Sequence, residues 1–135
     1  MRFIKEFADR FHHDKEEKIL FAAAQKQGVL THCNPIPQML HEHEEARALV
    51  GKMESAIEGR RAVDFCRAAT DYASLLKDHI FKEDQILYPM CERGLKPEAK
   101  VEILEQYAAA EKSRGANFVA ACHALVEDIS RQVAR

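Results

Sequence analysis

The stretch "HIFKEDQILYP", residues 79–89, decides how this chain is read, because residues 12–22, "HHDKEEKILFA", repeat its plan. Laid over each other, the two share a His, then Lys-Glu three and four residues on, then Ile-Leu-aromatic at the same offsets. A His and a Glu four residues apart on a helix lie on one face, one turn above the other. A lone His-x-x-x-Glu is common on the solvated side of amphipathic helices, and surface charge is its ordinary explanation. Two in register, each followed by the same apolar trio, point instead to a shared interior task.

Working outward, proline and glycine punctuate a helical pattern. A first helix covers residues 2–24 and is closed by "QKQG" and the loop "THCNP", which makes His32 a loop residue. Pro35 and Pro37 suit the start of a second helix that runs to about residue 58 and is stopped by Gly59. A third covers about 62–91, with Pro89 in its last turn, placed to bend or end it. Gly94 follows, and Pro97 opens a fourth helix over about 98–133. No period-2 alternation is long enough for a strand. The expected fold class is all-α: a single domain, residues 1–135, packed as an up-down-up-down four-helix bundle.

Each helix shows a face. In the second, Met39, His43, Ala46, Val50, Met53 and Ile57 repeat with spacing 4-3-4-3-4, the seam of an antiparallel bundle. His41 points roughly 160° away from that seam, at about 100° per residue. The third carries Phe65, Ala69, Tyr72, Leu76, His79, Glu83, Leu87 and Met90, so a histidine and a carboxylate interrupt an apolar stripe. The fourth runs Val101, Leu104, Ala108, Glu111, Gly115, Phe118, Cys122, Leu125 and Ile129. The first helix is less decisive, because Phe3, Phe7 and Phe11 favour a different arc from Ile19, Leu20 and Ala23.

In an alternating bundle the first and third helices run the same way, and both His-x-x-x-Glu pairs lie within the last three turns of theirs. His43 lies about two turns into the second helix, which starts from that same end. At about 1.5 Å per residue, all these groups fall near one level. A buried carboxylate is paired or bound to a metal, and inward-facing Glu and His are how bundles hold paired iron or manganese. The candidate metal ligands are His12, Glu16, His43, His79 and Glu83. "HHDKEE" contains a second overlapping pair, His13 and Glu17; the shared register favours His12 and Glu16 without excluding the other. His123 lies far along the last helix, away from this level.

Composition limits the alternatives. The 20 basic and 22 acidic residues leave a net charge of −2, which argues against a nucleic-acid or anionic-membrane surface. No apolar run approaches a bilayer span, and "MRFIKEFADRFHH" lacks the apolar core of a signal peptide, so the expected location is cytoplasmic. Cys33, Cys66, Cys91 and Cys122 form no CxxC pair, which fits a reducing compartment. There is no nucleophile motif, phosphate-binding glycine loop or nicotinamide fingerprint; oxidase, peroxidase-like or ferroxidase activity at a metal stays open.

"HHDKEEKILF", "MLHEHEEARALV" and "HIFKEDQILYPM" resemble the three motifs of the hemerythrin-like, HHE cation-binding domain family. The resemblance covers about residues 5–92, leaving an additional C-terminal helix over 97–134. It implies two iron ions in an oxo- or carboxylate-bridged di-iron centre, with ligands carried over by position to His12, Glu16, His43, His79 and Glu83. The family's domain is two copies of a helix pair, and here the first copy shows only its latter half. Three explanations compete: the last helix fills the slot beside the first, bringing Glu111 with Tyr107 a turn earlier; a second protomer supplies a helix in a homodimer; or the chain is shortened or its start misassigned. The expected function is to bind, sense or react with a small ligand such as O2, NO or peroxide. The alternative is a helical interaction or dimerisation module with a degenerate or zinc-filled site.

Overall fold

The chain is described here by a computed structural model over residues 1–30 and 33–133; His32 and residue 134 lie outside the described residues. Among the described residues five helical segments form: α1 over residues 4–26, α2 Ile36–Glu58, α3 over residues 62–94, α4 Pro97–Ser113 and α5 Phe118–Val133. There is no strand among the described residues, and none of the helices is long and apolar enough to cross a membrane. Pro37 and Pro97 sit in the first turns of α2 and α4, where a missing N–H costs nothing. Asn34 Oδ1 accepts the Ile36 N–H at 3.1 Å, which occupies one of the donors left free where α2 begins. The stop after Glu58 is made by Arg60, with φ 54°, while Gly59 stays right-handed.

α1 and α3 contain wide π turns, over Ile4–His13 and Glu16–Phe21 in α1 and over Glu83–Leu87 in α3. The repeated His-x-x-x-Glu thus recurs in three dimensions, with Glu16 and Glu83 each opening a π segment. Such segments concentrate at functional sites. The helix predicted to bend or end at Pro89 runs on to Gly94. The π turn has already loosened the hydrogen-bond ladder where proline withdraws its donor.

Two apolar clusters hold the bundle. One joins Leu20, Phe21 and Ala24 of α1 to Ile36 and Met39 of α2, Leu87 and Cys91 of α3, and Ala99 and Ile103 of α4. Ile36, Met39 and Leu87 are fully buried, each contributing about 1.5–3 kcal/mol from area removed from water. The other joins Ala46, Val50 and Met53 of α2 to Ala68 and Tyr72 of α3, with Met1 and Ile4 packed against them. Between the two clusters α1, α2 and α3 present a polar layer.

The end of the chain corrects the single helix expected over 97–134. It breaks after Ser113 and turns at Gly115, φ 93°, before α5 begins. α5 folds back on α1, where the Phe118 ring lies 5.2 Å edge-on from Phe11. Much of the expected stripe faces water, with Val101 56% exposed, Leu104 65% and Ile129 48%, while Phe118, Cys122 and Leu125 are half-buried. Ala99 and Ile103 turn inward instead, with Tyr107 against the same cluster. Spaced four apart, these three form the face that meets α1 and α3. Ile57, predicted as the last seam residue of α2, is also exposed, and Ala56 takes the buried place.

Candidate metal centre

α1 brings His13 and Glu16 to the polar layer, α2 brings Glu42 and His43, and α3 brings His79 and Glu83; all six are buried. His43 Nδ1 lies 2.7 Å from Glu17 Oε1, and His79 Nδ1 lies 2.9 Å from Glu42 Oε2. An ionised carboxylate only accepts, so each ring carries its proton on Nδ1 and turns the Nε2 lone pair inward. Those two Nε2 atoms stand 3.1 Å apart. Two lone pairs at that separation repel unless a proton or a cation lies between them.

Other atoms around the same point are equally unsatisfied. His13 Nδ1, Glu16 Oε2 and Glu83 Oε1 are buried without a hydrogen-bond partner among the described residues. Each such group costs about 1–3 kcal/mol, so three together need a physical reason. Glu16 Oε2 is 3.6 Å from His43 Nε2, and Glu83 Oε1 is 3.1 Å from His79 Nε2, outside hydrogen-bond geometry. The His13 ring stacks on His43 with centroids 3.9 Å apart. His13, Glu16, His43 and His79 form one group whose donor atoms all lie within 4.8 Å of one another, and His12, Glu16 and Glu83 form a second. Glu16 belongs to both. Cations at the two groups would between them satisfy all three orphaned atoms, and imidazole with carboxylate is a donor set that iron, manganese and zinc accept.

A further ring of contacts fixes these side chains. Glu17 also accepts from Arg47 at 2.8 Å, and Arg47 reaches Asp9 at 2.7 Å. Glu42 accepts from Gln38 at 2.8 Å and from Lys82. The Tyr88 hydroxyl donates to Glu16 Oε1 at 2.5 Å. Burial, reinforced by His43, pushes the His13 pKa down to about 3, so the ring is neutral and able to donate a lone pair. Burial also lowers His43, although Glu17 opposes it. Burial alone would lower His79 too, but the close charge of Glu83 and the hydrogen bond to Glu42 outweigh it and raise that ring. Burial and the adjacent Glu83 push the Glu16 carboxyl well above the usual carboxylate range, so without a cation the Glu16–Glu83 pair holds a proton between them.

Of the five residues predicted as ligands, Glu16, His43, His79 and Glu83 are buried in the polar layer, and His12 stands at its edge with a side chain 45% exposed. The structure divides the two overlapping pairs of "HHDKEE". His13 is buried against His43, while Glu17 supports His43 from behind. The wide π winding reduces the angle between neighbouring side chains, so His12 and His13 both approach Glu16. Glu111, proposed as the ligand from the last helix, is 51% exposed and pairs with Lys15 at 3.1 Å, outside both groups. His41 and His123 are exposed. Sequence reasoning passed over Glu42, Arg47, Lys82 and Tyr88, although all four lie inside the quoted motifs.

Imidazoles and carboxylates from three helices, meeting in the interior with orphaned donor atoms, define a helical cation-binding protein. The hemerythrin HHE cation binding domain matches residues 1–91, well over half of the chain, and the chain belongs to that family. No curated protein and no solved structure matches it.

Proposed function

We propose that the chain is a non-haem di-iron protein that binds and reacts with a small ligand: dioxygen, nitric oxide or peroxide. The carrying observation is that Glu16 belongs to two donor groups at once. A shared carboxylate suits a pair of cations, one held by His13, His43 and His79, the other by His12 and Glu83. Bound there, two irons would supply one-electron chemistry and an open position for the small ligand. The chain's own residues do the rest. Glu17 and Glu42 hold the two central imidazoles in the tautomer that donates inward. Tyr88 fixes one oxygen of Glu16 through its hydroxyl. Phe21, Met39 and Leu87 close one side of the layer against water, and half-exposed His12 marks the side of approach. Free Cys33 and Cys66 are exposed, which supports a reducing, cytoplasmic setting.

The test is iron content in protein purified without oxygen. About two irons per chain are expected, with oxo-to-iron charge-transfer absorption in the near ultraviolet on exposure to air. His79→Ala and Glu83→Ala lose the iron; His123→Ala keeps it. A metal-free or zinc-only protein of unchanged stability would overturn the reading.

A second reading has its own observation. α5 buries no residue fully, and Val126, Ile129 and Val133 are exposed on it. This favours a helical module that self-associates through α5 around a zinc-filled or degenerate site. Its mark would be a dimer in solution, lost in Ile129→Glu, in protein that carries no iron.

A further inference from the structure

A cavity of about 440 Å³ opens against the outer edge of the metal centre, between α1, the end of α3 and α4. Dioxygen or nitric oxide needs little more room than a water molecule, roughly 30 Å³. The space is an order of magnitude larger and falls in the range of about 300–1,000 Å³ typical of pockets for organic ligands.

Its walls are apolar, made by Leu20, Cys91, Leu95, Ile103 and Leu104. Burial pushes the Cys91 thiol up to about 11, so it stays neutral and adds no charge. Polar atoms gather at the inner end, where His12, Glu16 and Tyr88 meet. Both lysines of the lining are already paired. Lys15 Nζ holds Glu111 at 3.1 Å and lies 4.1 Å above the Phe11 ring, and Lys100 Nζ holds Glu92 at 2.6 Å. An anionic ligand would have to displace one of these carboxylates and leave its own charge among apolar walls, so charge selects an uncharged occupant. Leu95, Ile103, Leu104 and Tyr107 lie beyond residue 91, where the family match ends. This wall lies outside the family match.

We propose that the centre also takes an uncharged, mainly apolar organic molecule of on the order of 10–20 non-hydrogen atoms. Its single hydroxyl-type head lies against His12, Glu16 and Tyr88, and its tail runs along Ile103 and Leu104. The inference rests on the di-iron reading only for the role of that head group beside the metals.

The test uses 4-ethyl-, 4-butyl- and 4-hexylphenol, followed by calorimetry and by methyl shifts of Leu95, Ile103 and Leu104, on iron-loaded and iron-free chain. Saturable one-site binding is expected, tightening about tenfold for each two added methylenes. 4-Butylbenzoate binds at least tenfold more weakly than 4-butylphenol. Leu104→Trp, at an exposed lining position, and Ile103→Phe, deeper in the wall, weaken 4-butylphenol at least tenfold, with iron per chain unchanged in Leu104→Trp. Non-saturable partitioning, no dependence on tail length, tighter binding of the benzoate, or full binding by both variants would overturn the proposal. The two readings fail separately: iron retained without saturable phenol binding sinks the organic pocket alone. Phenol binding in a chain that takes up no iron when ferrous iron is supplied without oxygen sinks the di-iron reading alone.

Discussion

Replacing Glu83 by methionine separates what the polar layer costs from what it does. In the ion-free chain Glu83 Oε1 is buried without a hydrogen-bond partner, a cost of about 1–3 kcal/mol. Methionine has similar length and removes that cost, while giving up the Coulombic contact with His79 Nε2 at 3.1 Å, worth about 1 kcal/mol at the dielectric of water. The two nearly offset, so the ion-free melting temperature moves by less than about 4 °C, roughly 1 kcal/mol for a chain of this size. With a cation at a hundred times its Kd, the wild-type protein gains about 2.7 kcal/mol, or roughly 10 °C. Glu83→Met loses that increment. Leu87→Ala, one turn on and fully buried, is the control: it costs about 2–5 kcal/mol with or without metal and keeps the increment. Differential scanning calorimetry of the three proteins, with and without ferrous iron under anaerobic conditions, reads all six values. If Glu83→Met falls as far as Leu87→Ala without metal, or retains the metal-dependent rise, Glu83 is an ordinary structural residue and the reasoning is wrong.

Glu42→Gln weakens the clamp on His79 Nδ1 and frees Lys82, so metal affinity drops about 10–100-fold, measured by competition with a chelator, while the helical content is unchanged. Glu16, sharing a proton with Glu83, has its pKa raised to about 9 by burial and by that neighbour, and His79 is shifted in the same direction. A raised pKa adds stability at low pH that is lost as pH rises through it, so the ion-free melting temperature declines between pH 7 and 9. Metal affinity climbs over the same range, and uptake at pH 7 releases protons, which calorimetry in buffers of different ionisation enthalpy detects. Gly115→Ala places a side chain at φ 93° and lowers stability by about 1–2 kcal/mol, a loss that a continuous last helix would turn into a gain.

Met39, His43, Ala46, Val50 and Met53 could be read as a buried seam because α2 is regularly wound, and its period follows its neighbours. α1 could not be read that way. Its π turns change the angle between successive side chains, so His12 and His13, adjacent in sequence, sit on either side of Glu16. No fixed helical period reports that. The last helix misled for a different reason. Val101, Leu104 and Ala108 offered one apolar face and Ala99, Ile103 and Tyr107 another, and only the position of α1 and α3 decides between them. The roles of Glu17 and Glu42 were equally hidden, since a carboxylate beside a ligand histidine becomes its clamp only when the ring's Nδ1 points toward it.

The two apolar clusters meet across a layer that, without its ion, holds orphaned atoms and a misplaced proton. A bound cation therefore acts as a rivet between two halves of the molecule. With the three orphaned atoms unmet, that plane is the costliest layer to keep closed, and proteolysis near His43 and His79 is expected to slow when metal is added. Metal supply would then set how long each copy lasts, because binding to the folded state alone lowers the fraction that opens.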